Sequence, residues 1–303
     1  MLNRLLLLVV VGGLLPQAAG LWWGFEVLSH FRLQYLALAL PLLVVAVAAR
    51  QKVLGLLLAA SVAINAWPVL PYLPAAAAAA PGETLVILNV NVRAKNPDHA
   101  RVLERIRAAD ADIVVVIELS PALDAALAAL GESYPHRLTA PAHDNFGLGV
   151  LSRQPLVGAR VFDLGPTAAI ESFVELPAGR LRLLAVHPMA PMSAKLAATR
   201  NDQLERLAAL ARHDDAPLVV CGDFNLSPYS PFFRRFETDS GTRAARRGRG
   251  IGISWPASMP LLGVPIDHCF ARAPLVPVSV ERMDRTGSDH YPVRVMFRWP
   301  NAQ

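Results

Sequence analysis

Eight side chains of the kinds that hold cations, move protons or contact phosphate stand at the ends of apolar runs: Asn91, Glu118, His187, Asp223, Asn225, Asp267, Asp289 and His290. Carboxylate and amide oxygens are hard donors suited to Mg2+ or Mn2+, whereas imidazole in such a set suits proton transfer or a phosphate contact. Zinc is a poor match, because no cysteine-rich cluster and no His-x-x-x-His pair occurs. Hydrolysis of a phosphate ester needs neutralised phosphoryl oxygens, a water held in line with the leaving group and a stabilised leaving oxygen. This inventory can supply all three. One Asp or His at a strand end is ordinarily a turn or capping group; the repeated occurrence is what points to a shared site.

The elements that must position these groups follow from the apolar pattern. Residues 85–92 (LVILNVNV) read as a buried strand finishing at Asn91, with Asn89 as a structural neighbour. Residues 113–117 form a second strand that delivers Glu118, and 147–152, 173–176 and 181–186 form a series whose last member delivers His187. A strand at 217–221 ends in Gly222-Asp223-Phe224-Asn225. Residues 264–271 carry Asp267, with His268 on the opposite face of a regular strand, and Gly287-Ser288-Asp289-His290 precedes a final strand at 293–299. Amphipathic helices are expected at 97–109, 121–130 and 194–212. Consecutive strands between 147 and 186 favour an α/β sandwich with antiparallel pairing over a doubly wound parallel sheet.

Asn91-Val92, Glu118, Val186-His187, Gly222-Asp223-Phe224-Asn225, Ile266-Asp267-His268 and Gly287-Ser288-Asp289-His290 occur in one order with compatible gaps. In these motifs, over residues 83–303, the chain resembles the endonuclease/exonuclease/phosphatase superfamily, the relatives of DNase I, and is similar to its membrane-anchored bacterial members of the YafD type. The resemblance implies a four-layered α/β sandwich, two packed mixed or antiparallel sheets flanked by helices. It implies Mg2+ or Mn2+ near Asn91, Glu118 and Asp289. Asp223 and Asn225 would orient the attacking water and bind phosphate, His290 would contact the scissile phosphate, and Asp267 would fix its tautomer. His187 would act near the leaving oxygen or the phosphate, with Glu171 a candidate acid beside it. Glu118 follows isoleucine where many members have glutamine.

Six arginines lie between 234 and 249, a stretch that reads as a loop. Arg246, Arg247 and Arg249 are either a clamp for substrate phosphate or a solvated face. Trp255 reads as core packing rather than as an aromatic set against that loop or the substrate. The two cysteines, Cys221 and Cys269, each inside an apolar run, read as buried thiols.

Of the 303 residues, 53% are hydrophobic and only 17% charged, too apolar for an ordinary soluble protein. The excess lies in residues 1–74, where Arg4, Glu26, Arg32, Arg50 and Lys52 are the charged groups. Three uncharged stretches, 5–25, 33–49 and 53–73, are expected to be transmembrane helices; a signal peptide is the rival for the first. Trp22, Trp23, Trp67 and Tyr72 would anchor them at the interface, and Arg4, Arg50 and Lys52 would face the cytoplasm. The remainder then emerges on the opposite face, in a bacterium the periplasmic side of the inner membrane. Residues 75–82 form an Ala/Pro linker, and 83–303 the catalytic domain.

Beyond residue 74 there are 25 basic and 23 acidic residues, which is no polyanion-binding signature. The expectation is a membrane-anchored, metal-dependent phosphoesterase acting on nucleic acid, phospholipid or a smaller phosphoester. The alternative is a catalytically silent periplasmic binding module of the same fold. No protein partner is inferred.

Overall fold

The computed structural model describes residues 10–75 and 81–300; the start of the first apolar stretch and most of the alanine run lie outside them. Helix α1 (Trp23–Leu28) runs through a 3-10 turn (Ser29–Phe31) into α2 (Arg32–Ala48). Together they make the 26-residue helix Trp23–Ala48, the one among the described residues long and apolar enough to cross a membrane. Helix α3 (Lys52–Ala66) pairs with α2 but has only 15 residues, about 22 Å at 1.5 Å per residue against the roughly 30 Å of a hydrocarbon core.

The expectation of three comparable spans is therefore corrected. Pro68 and Pro71 stop the third stretch early, and Tyr72 is buried edge-on to Tyr229 and Phe233 rather than anchored at an interface. Within the described part of the first stretch, a 3-10 turn (Leu15–Ala18) and an extended Trp22 break the helix.

Among the described residues, twelve strands form two six-stranded sheets. The first contains β1 (Gly82–Asn91), β2 (Ile113–Ile117), β3 (His136–Ala140), β4 (Leu148–Ser152), β11 (Val276–Arg282) and β12 (Val293–Pro300), in the order β11-β12-β1-β2-β4-β3. The second contains β5 (Leu156–Leu164), β6 (Thr167–Leu176), β7 (Gly179–Val186), β8 (Leu218–Asp223), β9 (Arg243–Ala244) and β10 (Asp267–Ala271), in the order β5-β6-β7-β8-β10-β9. Only β1–β2 and β7–β8 are parallel; the crossovers between them are helical, as parallel pairing requires.

Each sheet is apolar on both faces. Ile87, Val115, Val150, Leu183, Val219 and Phe297 belong to the core between the sheets. On the outside, α4 (His99–Ala109) and α5 (Pro121–Leu127) cover the first sheet through Val102, Ile106 and Leu123. Helices α6 (Ala194–Ala211) and α7 (Pro231–Ser240) cover the second through Leu204, Leu207, Phe233 and Phe236. Helix, sheet, sheet and helix thus make the four layers. Tyr72 and Val69 are built into the outer core of the second sheet, with Leu33 and Leu36 packed against it.

Helix α7 occupies part of the stretch read as a loop: Ser230 caps it by accepting from the Phe232 amide at 3.2 Å, and Gly241 ends it in a left-handed conformation. Just before the linker, the carbonyls of Pro71 and Tyr72 accept from the amides of Gly248 and Gly250, each at 3.0 Å, and the linker's first residue, Ala75, donates to the Gly248 carbonyl at 3.0 Å. Cys221 and Cys269 face each other across the β8–β10 ladder and are joined in a disulfide, correcting the reading of two separate thiols. The pairing depends on register between strands 48 residues apart, which neither cysteine's local sequence encodes.

Candidate active site

The parallel pairs bring their C-terminal ends to one edge of the sandwich, where Asn89 of β1 donates to the Gly222 carbonyl of β8 at 2.9 Å. Gly222 is required there, because a Cβ would stand 1.8 Å from the Val186 carbonyl oxygen of β7. The antiparallel entry of β10 then sets Asp267 directly opposite Asp223. Gly287, at φ 89°, makes the turn that returns Ser288-Asp289-His290 to the same edge; Asn96 secures it by donating to the Thr286 carbonyl at 2.9 Å.

Asn91 stands between two carboxylates, its Nδ2 donating at 3.1 Å to Glu118 Oε1 and at 3.1 Å to Asp223 Oδ2. Glu118 adopts φ 61° and Arg93 φ 59°, conformations that cost a bulky residue on the order of 1 kcal/mol or more and collect at functional sites. The Glu118 turn is held by the Ala94 amide, which donates to Oε2 at 3.1 Å. Asn225, also left-handed at φ 49°, donates from its amide to Asp223 Oδ1 at 2.9 Å and from Nδ2 to the Pro188 carbonyl at 3.0 Å.

Two imidazoles flank Asp223, with His187 Nε2 and His290 Nε2 each 3.7 Å from Oδ2, yet their environments drive them apart. His187 Nδ1 lies 3.0 Å from the Asn145 carbonyl; a carbonyl can only accept, so Nδ1 carries the proton and Nε2 presents a lone pair. Burial holds this ring below the ordinary imidazole range. His290 Nδ1 lies 2.8 Å from Asp267 Oδ2. Burial alone would push His290 down, but the Asp267 and Asp223 carboxylates outweigh it and hold the imidazolium up to about 9. Burial, reinforced by the neighbouring Asp267 charge, raises Asp223 to about 7. Burial also acts to raise Asp267, but the charge and hydrogen bond of His290 prevail and keep it low. A neutral base and a cation on either side of one carboxyl group are the division of roles that acid–base chemistry at neutral pH requires.

The donors fit a hard divalent cation. Asp223 and Asp267 offer carboxylate oxygens within 4.8 Å of each other, the buried Oδ1 of Asp267 has no hydrogen-bond partner, and Glu118 and Asn91 adjoin them; His290, as an imidazolium, has no lone pair to give and is not counted among the ligands. Asp289 stands at the mouth, where Trp255 Nε1 donates to Oδ2 at 3.3 Å and Arg93 Nε lies 3.9 Å from Oδ1.

Three expectations are corrected. Arg247 is bound to Glu237, with 2.6 Å between Nη2 and Oε2, and Arg249 donates to the Pro277 carbonyl at 2.8 Å. Both guanidiniums are thus engaged in tying their loop to α7 and β11. Arg246 is only 5% exposed, and burial lowers it to about 10, so none of the three is a solvent-facing clamp. Glu171 pairs with Arg160 and Arg182; a backbone carbonyl takes the place expected for its carboxylate beside His187. Trp255 is 37% exposed at the mouth rather than in the core.

Asn145 and Ser254 gave no sequence signal, the first acting through its carbonyl. The second accepts from the Asp267 amide at 3.1 Å. His268 turns away as alternation requires, its Nε2 2.9 Å from the Leu226 carbonyl.

The endonuclease/exonuclease/phosphatase family model matches residues 86–290, which include every element of this edge. The chain belongs to that family. Its fold is similar to an endonuclease/exonuclease/phosphatase from Beutenbergia cavernae DSM 12333, at 24% identity and TM-score 0.61 over 72% of each chain. It is also similar to the human Nocturnin catalytic domain with bound sulfate, at 18% identity and TM-score 0.59 over 72% of this chain and 95% of that one. Sphingomyelinase C from Streptomyces griseocarneus matches at 18% identity and TM-score 0.55 over 71% and 99%. No curated protein matches the sequence.

Proposed function

We propose that the protein is a membrane-anchored phosphoesterase that hydrolyses a phosphodiester or phosphomonoester with the aid of a divalent cation, Mg2+ or Mn2+. The observation that carries this is the opposed poise of His187 and His290 about Asp223: one ring is neutral with its Nε2 lone pair free, the other is cationic, and both are within 3.7 Å of the same oxygen. An anionic phosphoryl group is attracted to the His290 imidazolium, which the Asp267 hydrogen bond keeps in one orientation. Asp223 and Asn225 orient water, and His187 exchanges a proton with the reacting oxygens through Nε2. Asn91, Glu118 and Asp289 are the residues assigned to the cation, with Asp223 beside them; when bound, it supplies Lewis-acid neutralisation of phosphoryl charge. A silent binding module could use the His290 cation to hold an anion but has no need of the neutral His187 base beside it.

The apolar helix Trp23–Ala48 supports anchoring. The Cys221–Cys269 disulfide suits an oxidising compartment such as the periplasm.

The test is turnover of bis-p-nitrophenyl phosphate by the detergent-solubilised full chain, with EDTA and after adding back Mg2+ or Mn2+. The full chain is needed because Tyr72 and Glu26 are buried against the catalytic domain. Metal-dependent hydrolysis is expected; none on diester or monoester would refute the reading.

A further inference from the structure

The loop that closes one side of the catalytic mouth is apolar, and it is fastened to the helix that leaves the domain. Trp255 bridges Val264 to form the neck of this loop, and the neck is bonded to site residues. Trp255 Nε1 donates to Asp289, the Ala257 amide donates to the Asp289 carbonyl at 2.7 Å, and Ser254 accepts from Asp267. Residues 250–266 contain no charged side chain. At the tip, Leu261 is 90% exposed, Met259 54% and Leu262 50%.

Gln34, in the first turn of α2, donates from Nε2 to the carbonyls of Gly263 at 3.0 Å and Leu261 at 3.3 Å. Just before and after it, Leu33 and Leu36 pack on the catalytic domain. From Leu38 onward the same helix turns apolar residues outward, Val44 and Val47 being 69% and 66% exposed. The tip therefore sits where the apolar helix departs. On the other lip, the segment after His187 carries Met192 at 80% exposure and leads into α6.

An exposed apolar loop of this size marks an interaction surface, and its continuity with the apolar helix identifies the partner as the bilayer surface. We propose that the 256–263 loop inserts into the interfacial layer of the membrane and that the substrate is a phosphoester in a lipid headgroup, drawn directly from the bilayer. The inference rests on the phosphoesterase reading and names its substrate class. In the reaction, the oxygen of water bonds to phosphorus, the ester P–O bond breaks, and the departing alcohol oxygen takes up a proton; no electrons are exchanged. A nucleic-acid substrate is disfavoured, since Arg247 and Arg249 are engaged and the loop offers no cation to a phosphate backbone.

Two experiments test this, both on the full chain reconstituted in phosphatidylethanolamine/phosphatidylglycerol vesicles. The described residues contain no free cysteine, so the Leu261→Cys variant gives a unique site for a nitroxide label. Collisional access by oxygen should exceed that by a water-soluble nickel chelate; the reverse order overturns the docking. Separately, Leu261→Asp should reduce release of phosphorylated headgroup or diacylglycerol from the vesicles at least tenfold, while turnover of bis-p-nitrophenyl phosphate stays within twofold. Unchanged vesicle hydrolysis, or hydrolysis of a single-stranded oligonucleotide but not of lipid by the unsubstituted chain, overturns the substrate assignment. Failure of the unsubstituted chain on the soluble diester would instead remove the phosphoesterase reading itself.

Discussion

Glu26 and Arg200 lie 174 residues apart, yet they meet with 3.0 Å between Oε2 and Nη2, at 1% and 0% exposure. At that distance, and with an effective dielectric near 20, the attraction is roughly 5 kcal/mol. Desolvation of both groups offsets much of it, so the pair's net worth is small, but removal of one partner leaves the other charge buried alone. That costs about 3–5 kcal/mol.

Arg200 also reaches the carbonyl of Asn225 from Nη1, at 3.4 Å, while His30 Nδ1 accepts from the Ser227 amide at 3.2 Å. The N-terminal helix thus grips the loop that carries Asn225, which we propose orients the attacking water. Glu26→Gln and Arg200→Met should each lower stability by about 3–5 kcal/mol, measured by urea unfolding in detergent micelles, and each should reduce turnover of a soluble diester. The double variant should be far less than additive, with a coupling of about 2 kcal/mol or more. Additivity within about 0.5 kcal/mol, or single variants as stable as the parent, would refute the claim that the anchor and catalytic domain are one cooperative unit.

Asp223→Ala and His290→Ala should each depress turnover by about a hundredfold or more while leaving the circular dichroism spectrum intact; near-normal rates would remove the site assignment. His290 is held at about 9, above a free imidazole, so its protonation stabilises the fold fully below about pH 6.5 and the contribution is lost as pH rises through 9. Asp223, raised to about 7, adds a loss of the same sign between about pH 4 and 7. Above pH 7 the metal-free chain should therefore keep losing stability, by up to roughly 3 kcal/mol across the whole His290 window, and His290→Asn should flatten a chemical-denaturation profile there. Reduction of Cys221–Cys269, or the Cys221→Ser/Cys269→Ser variant, should cost about 2–5 kcal/mol in the same unfolding assay; an unchanged midpoint would contradict a structural disulfide.

The strands that deliver Asn91, Glu118, His187 and Asp223 were legible because each is a buried apolar run with a polar residue at its end, and hydrophobic pattern is a local property. Strands β3, β5 and β11 were not. Their residues are largely half-buried or exposed, so no apolar run announces them, and they are strands because a neighbour's backbone needs a partner. The N-terminal apolarity was equally plain, but composition reports where a chain avoids water, not where a helix stops: Pro68, Pro71 and the burial of Tyr72 in the second sheet's outer core decided that.

From sequence alone came the candidate polar groups and the strand ends that present them, because both are fixed by residue type and short-range period. Tertiary structure alone decided the partners. Asp267 faces Asp223, Cys269 meets Cys221, Glu237 takes Arg247 out of the site, and the Asn145 carbonyl sets the His187 tautomer. A charge or a hydrogen-bond donor is satisfied by whatever the register and packing of distant segments bring within about 3 Å, and no local pattern carries that distance.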